Sequence, residues 1–249
     1  SEGFKGKSAQ GPIGDAIEEI DWSVGQIMGT LRELLLDDDT LVIFTSDNGP
    51  SGRAAPPFSG NKATNLEGGV REPCLMRWPG RIPAGTTCDR IAGNIDVLPT
   101  LAKVFGADLP KDRILDGRDL GPLLADPTAA PVRDTHLYFT AAQKLEAIRQ
   151  GPWKLFLLDP AKRKDEPVRT APALYNVVED PAERTNQALK HADIVAQLTR
   201  AAVDRLAEIE AHKRPIGKLS DEPTAAETPS KSPVKLSDLK PGAQLKAAA

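Results

Sequence analysis

The sequence has 249 residues, of which 40% are hydrophobic and 27% are charged, values typical of a globular protein. Its formal net charge of −3 gives no basic field that would attract nucleic acid or an anionic membrane surface. No apolar run reaches the length of about 18 residues that a membrane-spanning helix needs. The two cysteines, Cys74 and Cys88, are compatible with one disulfide bridge, but two buried free thiols are the simpler interpretation.

The first part of the chain predicts a helix followed directly by a buried strand. Apolar residues recur every three or four positions from Ile13 to Leu34, with Asp15 as the expected N-cap. Residues 41–46 then predict a strand, and its apolar run of Leu41, Val42, Ile43 and Phe44 is typical of a strand buried on both faces of a parallel sheet. A helix, a short loop and a buried strand form half of a parallel α/β unit.

A polar pair, Asp47 and Asn48, follows this strand. Ligand sites of open α/β sheets lie at the carboxyl ends of the strands, where this pair is expected. Carboxylate and amide oxygens are hard ligands that suit Ca²⁺ or Mg²⁺. Asn48-Gly49 is also a common tight-turn dipeptide, so this stretch alone leaves both a turn and a metal site open.

A glycine-bounded loop from Gly60 to Val70 carries Lys62 and the triplet Glu67-Gly68-Gly69. Adjacent glycines allow positive φ values and let the backbone pass close to a ligand or another strand. A lysine on such a loop can present its charge to a tetrahedral oxyanion, although an ordinary solvated lysine has the same sequence appearance.

The remaining elements are predicted from turn residues and periodicity. Residues 74–78 predict a short strand, and residues 94–105 predict a helix with Asp96 as N-cap and Gly106 after its last turn. From His136, which we interpret as a strand residue, four short β-prone segments predict a small antiparallel sheet. A helical pattern covers 181–211, and the composition of 213–249 predicts a disordered tail.

Several motifs occur together and in order. They are "SDNGP", then G-x-K-x-x-x-x-E-G-G-x-R-x-P from Gly60 to Pro73, "WPGRIPAGT" and "IDVLPTLAKVFG", followed by "AIRQGPWKLFLL" and "LYNVVEDPAERTNQA". This series resembles the C-terminal half of type I sulfatases, the arylsulfatase branch of the alkaline-phosphatase superfamily. The resemblance extends from about Phe4 to Ile209.

The resemblance implies an α/β fold: the C-terminal part of an alkaline-phosphatase-like sandwich. Its mostly parallel sheet is flanked by helices, and a small α+β subdomain with a short antiparallel sheet follows. The expected divisions are residues 1–134 for the catalytic domain, 135–212 for the subdomain and 213–249 for the tail.

The resemblance also implies roles for residues at matching positions. Asp47 and Asn48 match the later pair of ligands to a divalent cation, Ca²⁺ in preference to Mg²⁺. Lys62 matches the lysine that contacts the substrate sulfate. Glu67, Gly68 and Gly69 are expected to shape the loop of the site, and Arg71 and Pro73 to have structural roles.

The sequence departs from the family pattern at the nucleophile. Such sulfatases use a formylglycine made from Cys or Ser in C/S-x-P-x-R, and no such string occurs among these 249 residues. An earlier Asp-Asp metal pair also has no counterpart before residue 40. We therefore expect the formylglycine upstream, and we expect this chain alone to be inactive and poorly soluble.

The predicted function is hydrolysis of a sulfate ester of a small molecule or glycan. Family membership implies a periplasmic or secreted location, without a nucleic-acid partner or membrane span. A phosphoester or phosphonate hydrolase of the same superfamily and a non-catalytic protein that binds sulfated glycans remain alternatives.

Overall fold

The computed structural model describes residues 1–52, 55–158 and 171–214. The described residues form two compact units, an N-terminal unit of residues 1–42 with 78–80 and a larger unit of residues 43–77 with 81–214. The predicted tail, residues 213–249, lies outside the described residues from position 215 onward. Among the described helices, none combines the length and the apolar character needed to cross a membrane.

The N-terminal unit contains helix α1, Gly11–Glu33, and a 3₁₀ turn at Asp37–Asp39. The helix was predicted, but the prediction that Asp15 caps it was wrong, because the helix starts earlier, at Gly11. The Asp15 carboxylate instead accepts hydrogen bonds from the backbone N–H groups of Gly6 (2.8 Å), Lys7 (3.1 Å) and Ser8 (2.8 Å). These bonds, that of Ser8 foremost, lower the pKa of Asp15 and fix the turn before the helix.

Strands β1, Val42–Thr45, and β2, Cys74–Arg77, pair in a two-stranded sheet. The expectation that β1 is buried on both faces was wrong for the described residues. Val42 and Ile43 are half-buried, whereas Phe44 is 36% exposed. The only strand paired with β1 in the described part of the chain is β2, so few atoms are available to cover it. Cys74 and Cys88 are free and exposed, which corrects the expectation of buried thiols.

A 3₁₀ turn at Asn94–Asp96 leads into helix α3, Val97–Phe105. The helix ends as predicted at Gly106, which adopts the left-handed conformation with φ of 66°. Asp96 stands at the N-cap position, but its buried carboxylate does not cap the helix. It accepts the N–H groups of Gly93 (2.8 Å) and Arg118 (2.7 Å) and pairs with Arg133, which ties three segments together. The short helices are α2, Glu67–Val70, and α4, Gly121–Ala125.

The predicted antiparallel sheet is present. Its strands lie in the order β3, Thr135–Phe139, β4, Leu145–Gln150, β5, Trp153–Phe156, and β6, Ala173–Asn176.

The long helix α5 runs from Ala192 to His212 and starts later than the predicted residue 181. The preceding residues form turns, because the Asp180 carboxylate accepts the N–H groups of Arg184 and Thr185, both at 2.8 Å.

Both faces of the four-stranded sheet are buried. One face packs Ile148, Leu155 and Leu174 against Leu198 and Ala202 of α5. The opposite face forms a second apolar cluster that includes Leu66, which directly precedes α2. The glycine-bounded loop is therefore packed onto this second face, and burial of its leucine contributes about 1.5–3 kcal/mol to the attachment.

Candidate active site

Asp47 and Asn48 lie in the turn that directly follows β1. The Asp47 side chain is exposed and that of Asn48 is half-buried. Asn48 Nδ2 donates a hydrogen bond to its neighbour Gly49 O at 3.0 Å, which is turn geometry. Burial and then the nearby charge of Asp47 raise the pKa of Glu72, so a second carboxyl group lies close to Asp47 at this edge.

The Lys62 loop is joined to this turn through the backbone. Lys62 N–H donates to Pro50 O at 2.9 Å, and Gly49 N–H donates to Gly69 O at 3.0 Å. The Lys62 side chain itself is exposed. The structure therefore brings together the two sequence segments from which a joint site was predicted.

Close packing of backbone explains the glycines of both segments. A Cβ atom placed on Gly49 would lie 1.9 Å from the carbonyl oxygen of Gly68, and one on Gly68 would lie 2.5 Å from Ser59 O. Neither distance is compatible with a side chain. Gly68 and Gly69 lie in α2 without positive φ values, so close approach, and not a left-handed conformation, requires glycine here.

Glu67 is fully buried and its carboxylate is surrounded by basic groups. Its Oε1 lies 2.9 Å from Lys154 Nζ, and its Oε2 lies 2.6 Å from Arg71 Nε and 3.4 Å from a terminal nitrogen of Arg149. Burial alone would raise the pKa of Glu67, but Lys154 and Arg71 outweigh it and lower the pKa to about 2. Glu67 is therefore ionised at neutral pH.

A second buried carboxylate completes this cluster. Glu183 Oε1 lies 3.0 Å from Lys154 Nζ, and Glu183 Oε2 accepts the backbone N–H of Glu67 at 2.7 Å. We call Glu67, Lys154 and Glu183 the buried charge cluster. Burial disfavours the charge of Lys154, but Glu183 and Glu67 outweigh this effect and raise its pKa.

Sequence reasoning did not identify Lys154 or Glu183 as part of the site. A signal was present in β5, because strand alternation places Lys154 on the same face as Phe156. That face belongs to the apolar cluster, and a lysine among its apolar residues indicates a buried ion pair.

His136 lies in β3, as predicted, with its ring 4.9 Å from the Tyr138 ring in an edge-to-face arrangement. Burial, and then the charges of Arg133 and Arg149, lower its pKa to about 4. The unfolded chain, with a histidine pKa of 6.5, therefore binds a proton at mildly acidic pH that the folded chain does not bind. The free energy of unfolding should therefore fall as the pH decreases from about 6.5 towards about 4.

We expect the His136 contribution to the free energy of unfolding to fall by about 2 kcal/mol between pH 7 and pH 5. Urea unfolding at several pH values would measure it, and His136→Gln should flatten the dependence. His212→Gln, at the exposed end of α5, is the matched control for loss of a histidine. Equal slopes in the wild-type and His136→Gln proteins would contradict this assignment.

Two family patterns match the chain. The pattern of the Sulfatase family matches residues 7–107, and that of "N-sulphoglucosamine sulphohydrolase, C-terminal" matches residues 61–211. The chain belongs to the sulfatase family. It is a type I sulfatase of the alkaline-phosphatase superfamily, as the resemblance implied, and hydrolysis of sulfate esters is the activity of the family.

Known sulfatases align with most of the chain. Steryl-sulfatase of Homo sapiens is 44% identical over 177 residues, covering 64% of this chain and 30% of the relative. Arylsulfatase A of Bos taurus is 37% identical over 228 residues, covering 82% and 44% respectively. The PsFucS1 sulfatase from Pseudoalteromonas sp. superposes with a TM-score of 0.77 at 26% identity, covering 86% of this chain and 46% of that one.

The superposition on the PsFucS1 sulfatase confirms the predicted α/β sulfatase fold. The sulfatase chain spans less than half the length of each of these three proteins. The individual roles of Asp47, Asn48 and Lys62 stay predictions, as do the boundaries at 134/135 and 212/213.

Proposed function

We propose that this sulfatase chain forms part of an enzyme that hydrolyses a sulfate ester. In this proposal Asp47 and Asn48 bind a divalent cation and Lys62 contacts the sulfate group. The observation that carries the proposal is the pair of backbone hydrogen bonds that join the Lys62 loop to the Asp47–Asn48 turn. Sulfuryl transfer spreads negative charge over oxygens, and a fixed ammonium group near those oxygens lowers the barrier.

Asp47 and Asn48 have side-chain oxygens of the kind that Ca²⁺ binds, but two residues supply too few ligands for a complete site. Ca²⁺ takes six to eight oxygen ligands, and the pair supplies a carboxylate and an amide carbonyl. Among the described residues, no group of three or more acidic, histidine or cysteine side chains is arranged to bind a metal. In this proposal the other ligands come from elsewhere in the enzyme. When bound, the cation would stabilise negative charge on a sulfate oxygen.

The attacking group is proposed to be a formylglycine supplied by residues outside these 249, because the chain has no C/S-x-P-x-R string. With the nucleophile supplied in this way, the role of Lys62 is to bind and orient the sulfate. Glu67, Gly68 and Gly69 hold the loop on which Lys62 lies.

The substrate is proposed to be a sulfated small molecule or glycan. The relatives are named for steryl and aryl sulfates, and the C-terminal family pattern is named for a sulfated amino sugar. A periplasmic or secreted location is part of the same proposal.

Expression of the complete reading frame that encodes the chain would test this function. We expect turnover of an aryl sulfate that greatly exceeds turnover of the matching aryl phosphate and that is lost on treatment with a calcium chelator. Preferential cleavage of the phosphate would favour the phosphoester hydrolase. Binding of sulfated glycan without turnover of any sulfate ester would indicate a non-catalytic protein.

Asp47→Asn is expected to raise the Ca²⁺ concentration required for half-maximal activity by at least about tenfold, since a charged ligand is replaced by a neutral one. Titration of chelated enzyme with Ca²⁺ would measure it. Asp39→Asn, in the exposed 3₁₀ turn, is the control and should behave as wild type. An unchanged Ca²⁺ requirement in Asp47→Asn would exclude Asp47 as a ligand.

A further inference from the structure

Glu67 is attached to the small sheet subdomain through both its side chain and its backbone. The carboxylate contacts Lys154 of β5, and the N–H donates to Glu183, which precedes α5. The residues joined in this way are separated by 87 and 116 positions along the chain. The C-terminal end of the Lys62 loop is therefore fixed by residues distant in sequence.

Lys154 is shared by both carboxylates of the cluster. Its Nζ lies 2.9 Å from Glu67 Oε1 and 3.0 Å from Glu183 Oε1, and the side chain is fully buried. The ammonium group also lies 4.7 Å from the centre of the Tyr138 ring and 5.2 Å from that of Phe156. These neighbours leave the ammonium little room to shift without losing one of the two ion pairs.

A hydrogen-bonded and closely packed stretch of backbone connects Glu67 to Lys62. Gly68 N–H donates to Ser59 O at 2.8 Å, and Thr64 donates to Asn61 O through both its N–H (3.1 Å) and its hydroxyl (2.8 Å). A Cβ atom on Gly69 would lie only 2.3 Å from Thr64 O, so the loop is closely packed upon itself. A displacement of Glu67 would therefore be transmitted to Lys62.

We infer that Lys154 and Glu183 are positioning residues for Lys62, acting through Glu67 and the closed loop between them. The inference rests on the proposed function, because it assigns to the buried charge cluster the task of holding Lys62 against the Asp47–Asn48 turn. Neither residue is placed in contact with the substrate.

The chemistry of the cluster favours positioning over simple attachment. Apolar side chains of similar volume would hold two elements together at least as well as a buried ion pair does. The hydrogen bonds from Lys154 Nζ to Glu67 Oε1 and from Glu67 N–H to Glu183 Oε2 have few alternative arrangements, so they fix distance and direction more narrowly than apolar contact. The adjacent Leu66 already supplies the apolar attachment.

Glu183→Gln in the complete reading frame tests this inference, because it removes the charge and preserves the shape and the left-handed backbone of residue 183. Two quantities would be measured: hydrogen exchange of a peptide covering residues 59–70, and kcat with KM for an aryl sulfate. We expect exchange of that peptide to increase at least tenfold and kcat to fall at least tenfold. Lys154→Met is the second variant, with the same expected direction.

Leu198→Ala is the matched control, because it removes a buried side chain on the opposite face of the sheet. At temperatures where all variants are folded, Leu198→Ala should leave exchange of 59–70 and kcat unchanged. If Glu183→Gln behaves like this control in both measurements, the positioning role is refuted. If the unaltered protein has no sulfatase activity, the proposed function fails, and exchange alone then decides whether the cluster holds the loop.

Discussion

Lys62→Ala is expected to lower kcat/KM for a sulfate ester by about 100- to 1000-fold, the loss typical of removing one group that stabilises transition-state charge. The side chain is exposed, and its backbone N–H bond to Pro50 survives the substitution. Melting temperature should therefore stay near the wild-type value while turnover falls. The measurement is steady-state turnover of an aryl sulfate by the complete reading frame.

Lys103→Ala, an exposed lysine of α3, is the control for loss of a positive charge and should retain wild-type turnover. Lys62→Arg separates charge from shape, because the guanidinium retains the charge but is larger and planar. Retention of full activity in Lys62→Ala would exclude the lysine from the chemistry and leave it as a solvated side chain.

Lys154→Met is expected to lower the free energy of unfolding by about 3–5 kcal/mol, the range for breaking a buried ion pair from one side. The substitution leaves Glu67 and Glu183 buried without the cation that they share. Methionine roughly preserves the volume, so the loss reports on charge more than on packing. Urea unfolding at pH 7 would measure it.

Arg200→Ala breaks an exposed ion pair with Asp204 and serves as the comparison. Exposed pairs of this kind contribute about 0–1 kcal/mol, so its effect should be small. A loss below about 1 kcal/mol in Lys154→Met would contradict this prediction and would mean that Arg71 and Arg149 neutralise Glu67 adequately without the lysine.

Local sequence patterns predicted helices and strands well where apolar periodicity and turn residues alone define the element. The small antiparallel sheet and the end of α3 at Gly106 are both present. Predictions of where helices begin failed where a side chain has several possible hydrogen-bond partners. The sequence favoured Asp15 as a helix cap, yet three N–H groups of the preceding turn bind it. The late start of α5 has the same origin, because Asp180 stabilises a turn there.

For the candidate site, too, the joining of two local motifs was predicted correctly, and contacts between distant parts of the sequence were not predicted. The motifs placed Asp47 and Lys62 in one region, and their segments are joined by backbone hydrogen bonds. Glu67 was expected to shape the loop, and Arg71 is a carboxylate partner only four positions away. Lys154, which binds the carboxylate, and Glu183, which accepts the backbone N–H, lie 87 and 116 positions later, a separation that local patterns do not encode. The clash at Gly49 is likewise visible only once Gly68 is beside it.

The long-range anchoring of Glu67 also sets an order of events during synthesis. Residues 60–69 are translated well before Lys154 and Glu183, so the nascent loop at first lacks both of these distant partners of Glu67. Folding on the ribosome generally proceeds from the N-terminal side. Here the loop that carries Lys62 gains its last described anchor only when Glu183 is made, and a chain that stops before residue 183 would keep every predicted site residue yet lack the bond from Glu67 N–H to Glu183.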